Sequence, residues 1–180
     1  MKQPLTHAHA RRSVRSLSRR NSLALLGLGA AALAVRPSGL LGQTTSKTIV
    51  AHNRAPDGAQ MAFAPAVLQV APGETVRFAH ADRGHNVQSY GEMLPEGAAA
   101  FAGEIGEEIA VTFDAEGTYG YFCRPHAAMG MIGYVLVGNF TANLDAVRAA
   151  SAELRGPMMA RRVEAYFAEI TRMGQAAGLM

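Results

Sequence analysis

Three kinds of metal-binding donor occur within nine residues, in the segment Cys123-Arg124-Pro125-His126-Ala127-Ala128-Met129-Gly130-Met131. The segment contains the one cysteine of the chain, a histidine three residues later and two methionines. Thiolate, imidazole and thioether together suit copper in both oxidation states, because Cu(I) favours sulfur and Cu(II) accepts nitrogen. A trigonal copper site needs a second imidazole, which His85 offers at a predicted strand end. We therefore predict a copper site that contains His85, Cys123, His126 and one of the two methionines.

Each of these residues has an ordinary structural interpretation when it is taken alone. A lone cysteine after two aromatic residues is usually a small buried apolar side chain, and a lone histidine is more often structural than a ligand. Met129 and Met131 both fit as core residues. Their joint occurrence with the upstream Gly84-His85-Asn86, strand patterns and an export signal is expected for a copper protein and coincidental otherwise.

Two other functions would use some of the same residues. A hydrolase would use Cys123 as nucleophile and His126 as general base, but that mechanism has no need of His85 or Met131. A copper chaperone or storage module would bind the metal with similar ligands in a more exposed site. Zinc is a poor functional candidate, because thioether binds it poorly and it has no redox change. We therefore expect an electron carrier rather than an enzyme, with the copper chaperone as the alternative.

The sequence around these donors predicts an all-β fold. Short apolar or alternating runs are separated by turn residues such as Pro72-Gly73 and Glu116-Gly117. The predicted strands are Lys47–His52, Ala66–Val70, Glu74–Ala79, Glu108–Phe113, Gly117–Phe122 and Met131–Val137, with one or two weaker strands between them. This density of strands favours an antiparallel sandwich, which would bring the distant His85 beside the Cys123 segment.

The pattern of apolar residues changes after Asn139. They recur at steps of three and four, which predicts helices, and Gly156-Pro157 interrupts the pattern. We expect two amphipathic helices within 141–173. Their apolar faces are predicted to cover the sandwich rather than to bind a partner.

Residues 1–42 have the features of an export signal. Residues 1–20 are basic and polar, and Leu23–Val35 contains only Leu, Ala, Gly and Val. This run is too short to cross the ~30 Å hydrocarbon core as a permanent anchor. Ser18-Arg19-Arg20-Asn21-Ser22-Leu23 resembles a twin-arginine signal, although Ser22 stands where Phe is preferred, so general secretion stays open. We expect cleavage between 34 and 42, a periplasmic location and a single domain over 43–180.

The positive charge of the chain is concentrated in this signal. The whole chain has a formal net charge of +3, but residues 1–42 contain seven basic and no acidic residues. The remainder has ten basic and fourteen acidic residues, a net charge of −4, and Lys47 is its one lysine. This balance argues against nucleic-acid binding. The single cysteine excludes an intrachain disulfide.

These motifs resemble those of the type 1 copper proteins of the cupredoxin fold, and among them the pseudoazurins. The resemblance lies in Cys-x2-His-x4-Met with an upstream Gly-His-Asn-Val, and also in Met61-x-Phe63-x-Pro65, Ala71-Pro72-Gly73-Glu74-Thr75-Val76, Met93-Leu94-Pro95-Glu96-Gly97-Ala98 and Ala142-Asn143-Leu144. With the helical pattern, the matches span roughly residues 47–170. The resemblance implies a cupredoxin Greek-key β-sandwich of about eight strands with two C-terminal α-helices.

The resemblance also implies a role for each site residue. The equatorial ligands of one copper per chain would be His85, Cys123 and His126. The weak axial ligand would be Met131 rather than Met129, and Gly130 agrees with this, since a residue without Cβ lets the backbone turn there. Asn86 would brace the ligand loop near the cysteine sulfur. The exposed edge of His126 would pass electrons at the centre of a docking surface.

The implied function is that of a periplasmic one-electron carrier cycling between Cu(II) and Cu(I). Its partners would be redox proteins such as copper nitrite reductase or cytochrome c, and the chain is expected to be a monomer without stable membrane association after cleavage. Pseudoazurins usually surround the docking surface with lysines, which this chain nearly lacks. Arg54, Arg83 and Arg124 are predicted to form a reduced positive rim in their place.

Overall fold

Eight strands form two four-stranded sheets in residues 46–180, the part of the chain that this computed structural model describes. The strands are β1 Lys47–Arg54, β2 Gln60–Ala64, β3 Val67–Val70, β4 Glu74–His80, β5 Gln88–Ser89, β6 Ile109–Phe113, β7 Gly117–Phe122 and β8 Ile132–Val137. Their order is β2-β1-β4-β6 in one sheet and β3-β8-β7-β5 in the other. The predicted export signal and its cleavage region lie outside the described residues.

The predicted all-β sandwich with C-terminal helices is confirmed. All six predicted strands are present, with ends that differ by at most two residues, and β2 and β5 are the weaker strands. The expectation of purely antiparallel pairing is wrong for two pairs, because β1 pairs parallel with β4 and β3 pairs parallel with β8. A parallel pair cannot be joined by a tight hairpin, and here the chain runs from β1 to β4 through β2 in the same sheet and β3 in the other sheet.

The core between the sheets is built around aromatic rings. Tyr121 of β7 is fully buried, and its ring meets those of Phe63 and Phe78 edge to face at centroid distances of 4.9 and 5.2 Å. Gly133 of β8 is paired with Tyr121, and a Cβ at Gly133 would collide with the tyrosine hydroxyl. Edge-to-face pairs stabilise a core beyond the burial of their area. Cys123 and Met131, two of the residues predicted to bind metal, belong to this same buried cluster.

Two helices cover the outer face of the second sheet. They are α1 Leu144–Ala152 and α2 Pro157–Ala176, and a turn of 3-10 helix precedes α1. Apolar residues of both helices pack with those of β8, namely Leu144, Val147, Met159, Phe167 and Ile170 with Ile132, Tyr134 and Leu136. The predicted covering role is confirmed, and every residue of β8 is buried as a result. Neither helix has the length and apolar composition of a membrane span.

Candidate metal centre

Three donor side chains meet at one end of the sandwich. His85 lies in the segment between β4 and β5, Cys123 directly follows β7, and His126 lies in a 3-10 helix, Arg124–Met129. The donor atoms of all three lie within 4.8 Å of one another. The two Nδ1 atoms are 3.1 Å apart, and Cys123 Sγ is 3.8 Å from that of His85 and 3.4 Å from that of His126. One sulfur and two imidazole nitrogens so arranged fit a trigonal copper site.

The two candidate axial methionines differ in exposure. Met131 is fully buried, whereas the side chain of Met129 is 49% exposed. The N–H of Met131 donates to the carbonyl of His126 at 3.2 Å, and the N–H of Cys123 donates to the carbonyl of Met131 at 3.0 Å. Gly130 separates the methionines with a φ of 79°, which favours glycine. The structure therefore places Met131 beside the other donors and Met129 at the surface.

Two residues that no motif marks lie beside His85, and one of them is hydrogen-bonded to it. Asn53 Oδ1 lies 3.1 Å from His85 Nε2. Because this oxygen only accepts, Nε2 carries the proton and Nδ1 is left free to bind a metal. His80 lies on the other side, with its ring nearly parallel to that of His85 at 6.5 Å. Both residues lie at strand ends, and no local spacing in the sequence marks them out.

Asn86 links the ligand loop to the body of the protein, as the resemblance implies. Its Oδ1 accepts a hydrogen bond of 2.8 Å from the N–H of Arg124, and its Nδ2 donates to the carbonyl of Gly103 at 3.2 Å. Its backbone also donates to the sulfur of Cys123. One residue therefore holds both the sulfur and the start of the loop.

The surroundings of His85 favour metal binding at its imidazole. Burial lowers the pKa of His85, and the neighbouring His126 lowers it further, which favours the neutral imidazole that a metal requires. Burial raises the pKa of the Cys123 thiol, and hydrogen bonds from the backbone of Asn86 and His126 oppose this effect. A thiol with a raised pKa loses its proton when a metal binds in its place.

The surface around the site carries the predicted arginines. Arg54, Arg83 and Arg124 are exposed, and His126 is half-buried, while His85 is inaccessible to solvent. Beside the ligand loop lies a groove lined by apolar and methionine side chains, with Arg162 at its edge. His126 is therefore the histidine of the site that reaches the surface.

Comparison with known proteins places this site in a family. The sequence model described as "Copper binding proteins, plastocyanin/azurin family" matches residues 49–138. The pseudoazurin of Methylorubrum extorquens is 34% identical over 143 residues, which cover 79% of this chain and 95% of that protein. That of Paracoccus pantotrophus is 37% identical over 144 residues, which cover 79% and 96%. The chain belongs to the pseudoazurins.

The solved pseudoazurin structures agree with this assignment. The pseudoazurin of Sinorhizobium meliloti is 44% identical, with a TM-score of 0.65, over 69% of this chain and 95% of the other. Pseudoazurins are blue copper electron carriers that bind one copper, and this chain is accordingly an electron carrier and not an enzyme. Its donor set of one thiol and two imidazoles, with a buried thioether nearby, fits that metal.

Proposed function

We propose that the chain is a periplasmic one-electron carrier whose copper is held by His85, Cys123 and His126 in the equatorial plane and by Met131 as the weak axial ligand. The observation that supports the ligand assignment is the meeting of the first three donor atoms within 4.8 Å. Met131 is buried, and its backbone is hydrogen-bonded to two of these ligands. Bound copper would supply the Cu(II)/Cu(I) couple.

The surrounding residues suit a carrier that changes shape little. Asn53 fixes the ring of His85, and Asn86 fixes the sulfur and the loop, so the ligands stay in place when the charge of the site changes. Three of the four donors are shielded from water, and the half-buried His126 provides the short route to the surface. The same burial disfavours a chaperone, which must expose its ligands to pass on the metal.

Titration of the mature chain with Cu(II) tests the ligand assignment. We expect one copper per chain and an intense visible absorption band from a thiolate in the equatorial plane. Zn(II) is the control, since it occupies the same donors without a visible band. Copper that binds without this band would refute the type 1 site.

The partner we propose is a redox protein with an acidic surface around its own centre, with copper nitrite reductase first and a c-type cytochrome second. The support is the exposed arginines near His126 and the family resemblance. Stopped-flow mixing of the reduced carrier with each protein should give saturable electron transfer to the reductase. Transfer to neither protein would refute both assignments.

The periplasmic location rests on the sequence of residues 1–42. Cell fractionation should find a shortened, monomeric chain in the periplasm, with the mass measured by light scattering. Replacement of Arg19 and Arg20 by lysine should leave the precursor in the cytoplasm if the twin-arginine route is used. Unchanged export of that variant would favour general secretion, and unprocessed protein in the cytoplasm of the parent would contradict the location.

A further inference from the structure

Arg162, on α2, donates hydrogen bonds to three backbone carbonyls in two other parts of the molecule. Its Nη1 donates to Gly130 at 2.9 Å and to Met61 at 2.5 Å, and its Nη2 donates to Gln60. Gln60 and Met61 belong to β2, whereas Gly130 lies in the ligand loop. A single half-buried guanidinium therefore joins the helix, the edge of one sheet and the ligand loop.

Two of these carbonyls belong to residues in the left-handed region of backbone conformation. Gly130 has a φ of 79°, and Met61 has a φ of 45°, which is unfavourable for a residue with a side chain. Such residues need contacts from outside their own segment to keep their conformation. Arg162 supplies one contact to each.

The Gly130 carbonyl is part of the peptide group that leads into Met131. Because a peptide group is planar, an anchored carbonyl also fixes the direction of the Met131 N–H, which donates to His126. The helix lies directly against this peptide, since a Cβ at Gly130 would come within 3.2 Å of the Met158 backbone and of Arg162 Cδ. Arg162 and α2 together leave the Gly130–Met131 peptide little freedom.

We propose that Arg162 is a positioning residue for the copper site, which holds the peptide before Met131 and so sets how closely its thioether approaches the metal. This inference rests on the proposed axial role of Met131. The helix pair then does more than cover an apolar sheet face. It also fixes the weakest and most adjustable ligand, and the axial ligand is one of the features that tune the reduction potential of such sites.

Lysine cannot replace arginine in this role. The planar guanidinium has five donors in a fixed fork, which reach carbonyls in separate segments, whereas the lysine ammonium is one compact donor group on a flexible stem. Arg162→Lys therefore removes the bridge and keeps the positive charge. The adjacent Arg161 is exposed, so Arg161→Lys is a matched control on the same helix.

The first test uses the copper-free protein, so that its result does not depend on metal binding. Hydrogen exchange of the Met131 and Ile132 amides, which donate to His126 and Gly130, is measured by NMR. We expect exchange about tenfold faster in Arg162→Lys and unchanged in Arg161→Lys. Equal rates in the parent and both variants would overturn the proposal.

The second test uses the copper-loaded protein. Arg162→Lys should change the EPR rhombicity and the relative intensities of the thiolate-to-copper absorption bands. It should also shift the ratio of reduced to oxidised protein at fixed potential by about threefold, or about 28 mV for one electron. Arg161→Lys should match the parent. Because both variants keep their charge, a similar shift in both would overturn the proposal.

Two outcomes separate this inference from the proposed function. If copper fails to bind the parent chain, the proposed function fails, while faster exchange in copper-free Arg162→Lys still supports the hold on Met131. If exchange changes but the spectrum and potential do not, the positioning of the copper ligand is refuted.

A measurement on the parent protein covers the case in which Arg162→Lys does not fold. The guanidinium NMR signals of Arg162 should show restricted rotation and slow exchange, in contrast to the averaged signals of Arg161. Averaged signals from Arg162 would overturn the proposal.

Discussion

The core between the sheets, to which both ends of the ligand loop (Cys123 and Met131) belong, and the middle of that loop hold their residues by different means. The core is held by close apolar contact, as around Tyr121, and its side chains are inaccessible to solvent. The 3-10 helix of the loop, Arg124–Met129, contains no buried residue. At its start the N–H of Arg124 donates to Asn86 Oδ1, and just after its end the carbonyl of Gly130 accepts from Arg162. The difference indicates that substitutions in the core should change the stability of the fold, whereas substitutions at the loop should change the properties of the metal.

The expectation that changes in the ligand loop alter the metal is tested most severely at the sulfur of Cys123. Cys123→Ser should abolish the visible charge-transfer band of the Cu(II) protein, because that band requires a thiolate in the equatorial plane. Unfolding of the copper-free variant should stay cooperative, since serine is similar in size. Absorption spectra and urea titration measure the two effects. Full colour in the variant would rule out Cys123 as a ligand.

The core side is tested at Phe78, whose ring packs on Tyr121 and is 1% exposed. Phe78→Ala should lower the free energy of unfolding by about 3–5 kcal/mol, through lost burial and the cavity it leaves. The matched loop change, Met129→Ala, should cost less than about 1 kcal/mol, since that side chain is largely exposed. Urea unfolding of the copper-free proteins measures both. Comparable losses would mean that the loop contributes to the core.

Asn86 lies where the two regions meet, and its removal should affect both. Asn86→Ala leaves the N–H of Arg124 and the carbonyl of Gly103 without their partner, at a cost of about 1–3 kcal/mol. Copper should also leave the variant faster in the presence of a chelator. Asn139→Ala is the control, since that side chain is exposed and accepts only a solvent-accessible hydrogen bond from Thr141. A variant as stable as the parent, with the same rate of copper release, would show that the loop does not need this brace.

The sequence predicts the donors and, through the family resemblance, the bracing role of Asn86, but it does not predict the other residues that hold the donors in place. His85, Cys123 and His126 carry unusual chemistry and stand in a recognisable spacing, so their types and order suffice to predict that they meet. Asn53 and Arg162 are of common types at unremarkable positions. Their roles depend on which carbonyl or ring nitrogen the fold brings within 3 Å or so, and no local pattern encodes that.

The length of a strand decided whether the sequence pattern could predict it, and the pattern carries no information on the direction of pairing. β7 and β8 are long apolar runs between clear turn signals, whereas the two-residue β5 is too short to give a period. Parallel pairing of β1 with β4 was missed because the alternation of apolar residues does not report the direction of a neighbouring strand.

The two methionines sharpen the comparison within the loop itself. Met131→Gln should lower the reduction potential by about 59 mV, a tenfold change in the equilibrium, because an amide oxygen favours Cu(I) less than a thioether does. Met129→Gln should change it much less, since Met129 lies at the surface. Voltammetry measures both potentials. A larger shift in the Met129 variant would exchange the two assignments.

The smallest expected effect concerns the surface around the loop. Electron transfer to an acidic partner should slow with added salt, because the Debye length falls to about 8 Å at physiological ionic strength. Arg83→Gln should lower the rate at low salt by roughly twofold, whereas Arg172→Gln, near the far end of α2, should not. Stopped-flow rates over a salt series measure this. A rate that is flat or rises with salt would mean that the arginines do not steer docking.

The burial of β8 on both faces should make its backbone amides exchange slowly with solvent. One face is covered by the other sheet and the other face by α1 and α2. Both edges pair with a neighbouring strand, β3 or β7, so departure of one covering layer alone leaves the amides of β8 hydrogen-bonded. The amides of Ile132–Val137 should therefore exchange with solvent only when the whole fold opens, and report the frequency of that rare event. Met131 directly precedes this strand. One end of the ligand loop is thus attached to the slowest-opening part of the molecule.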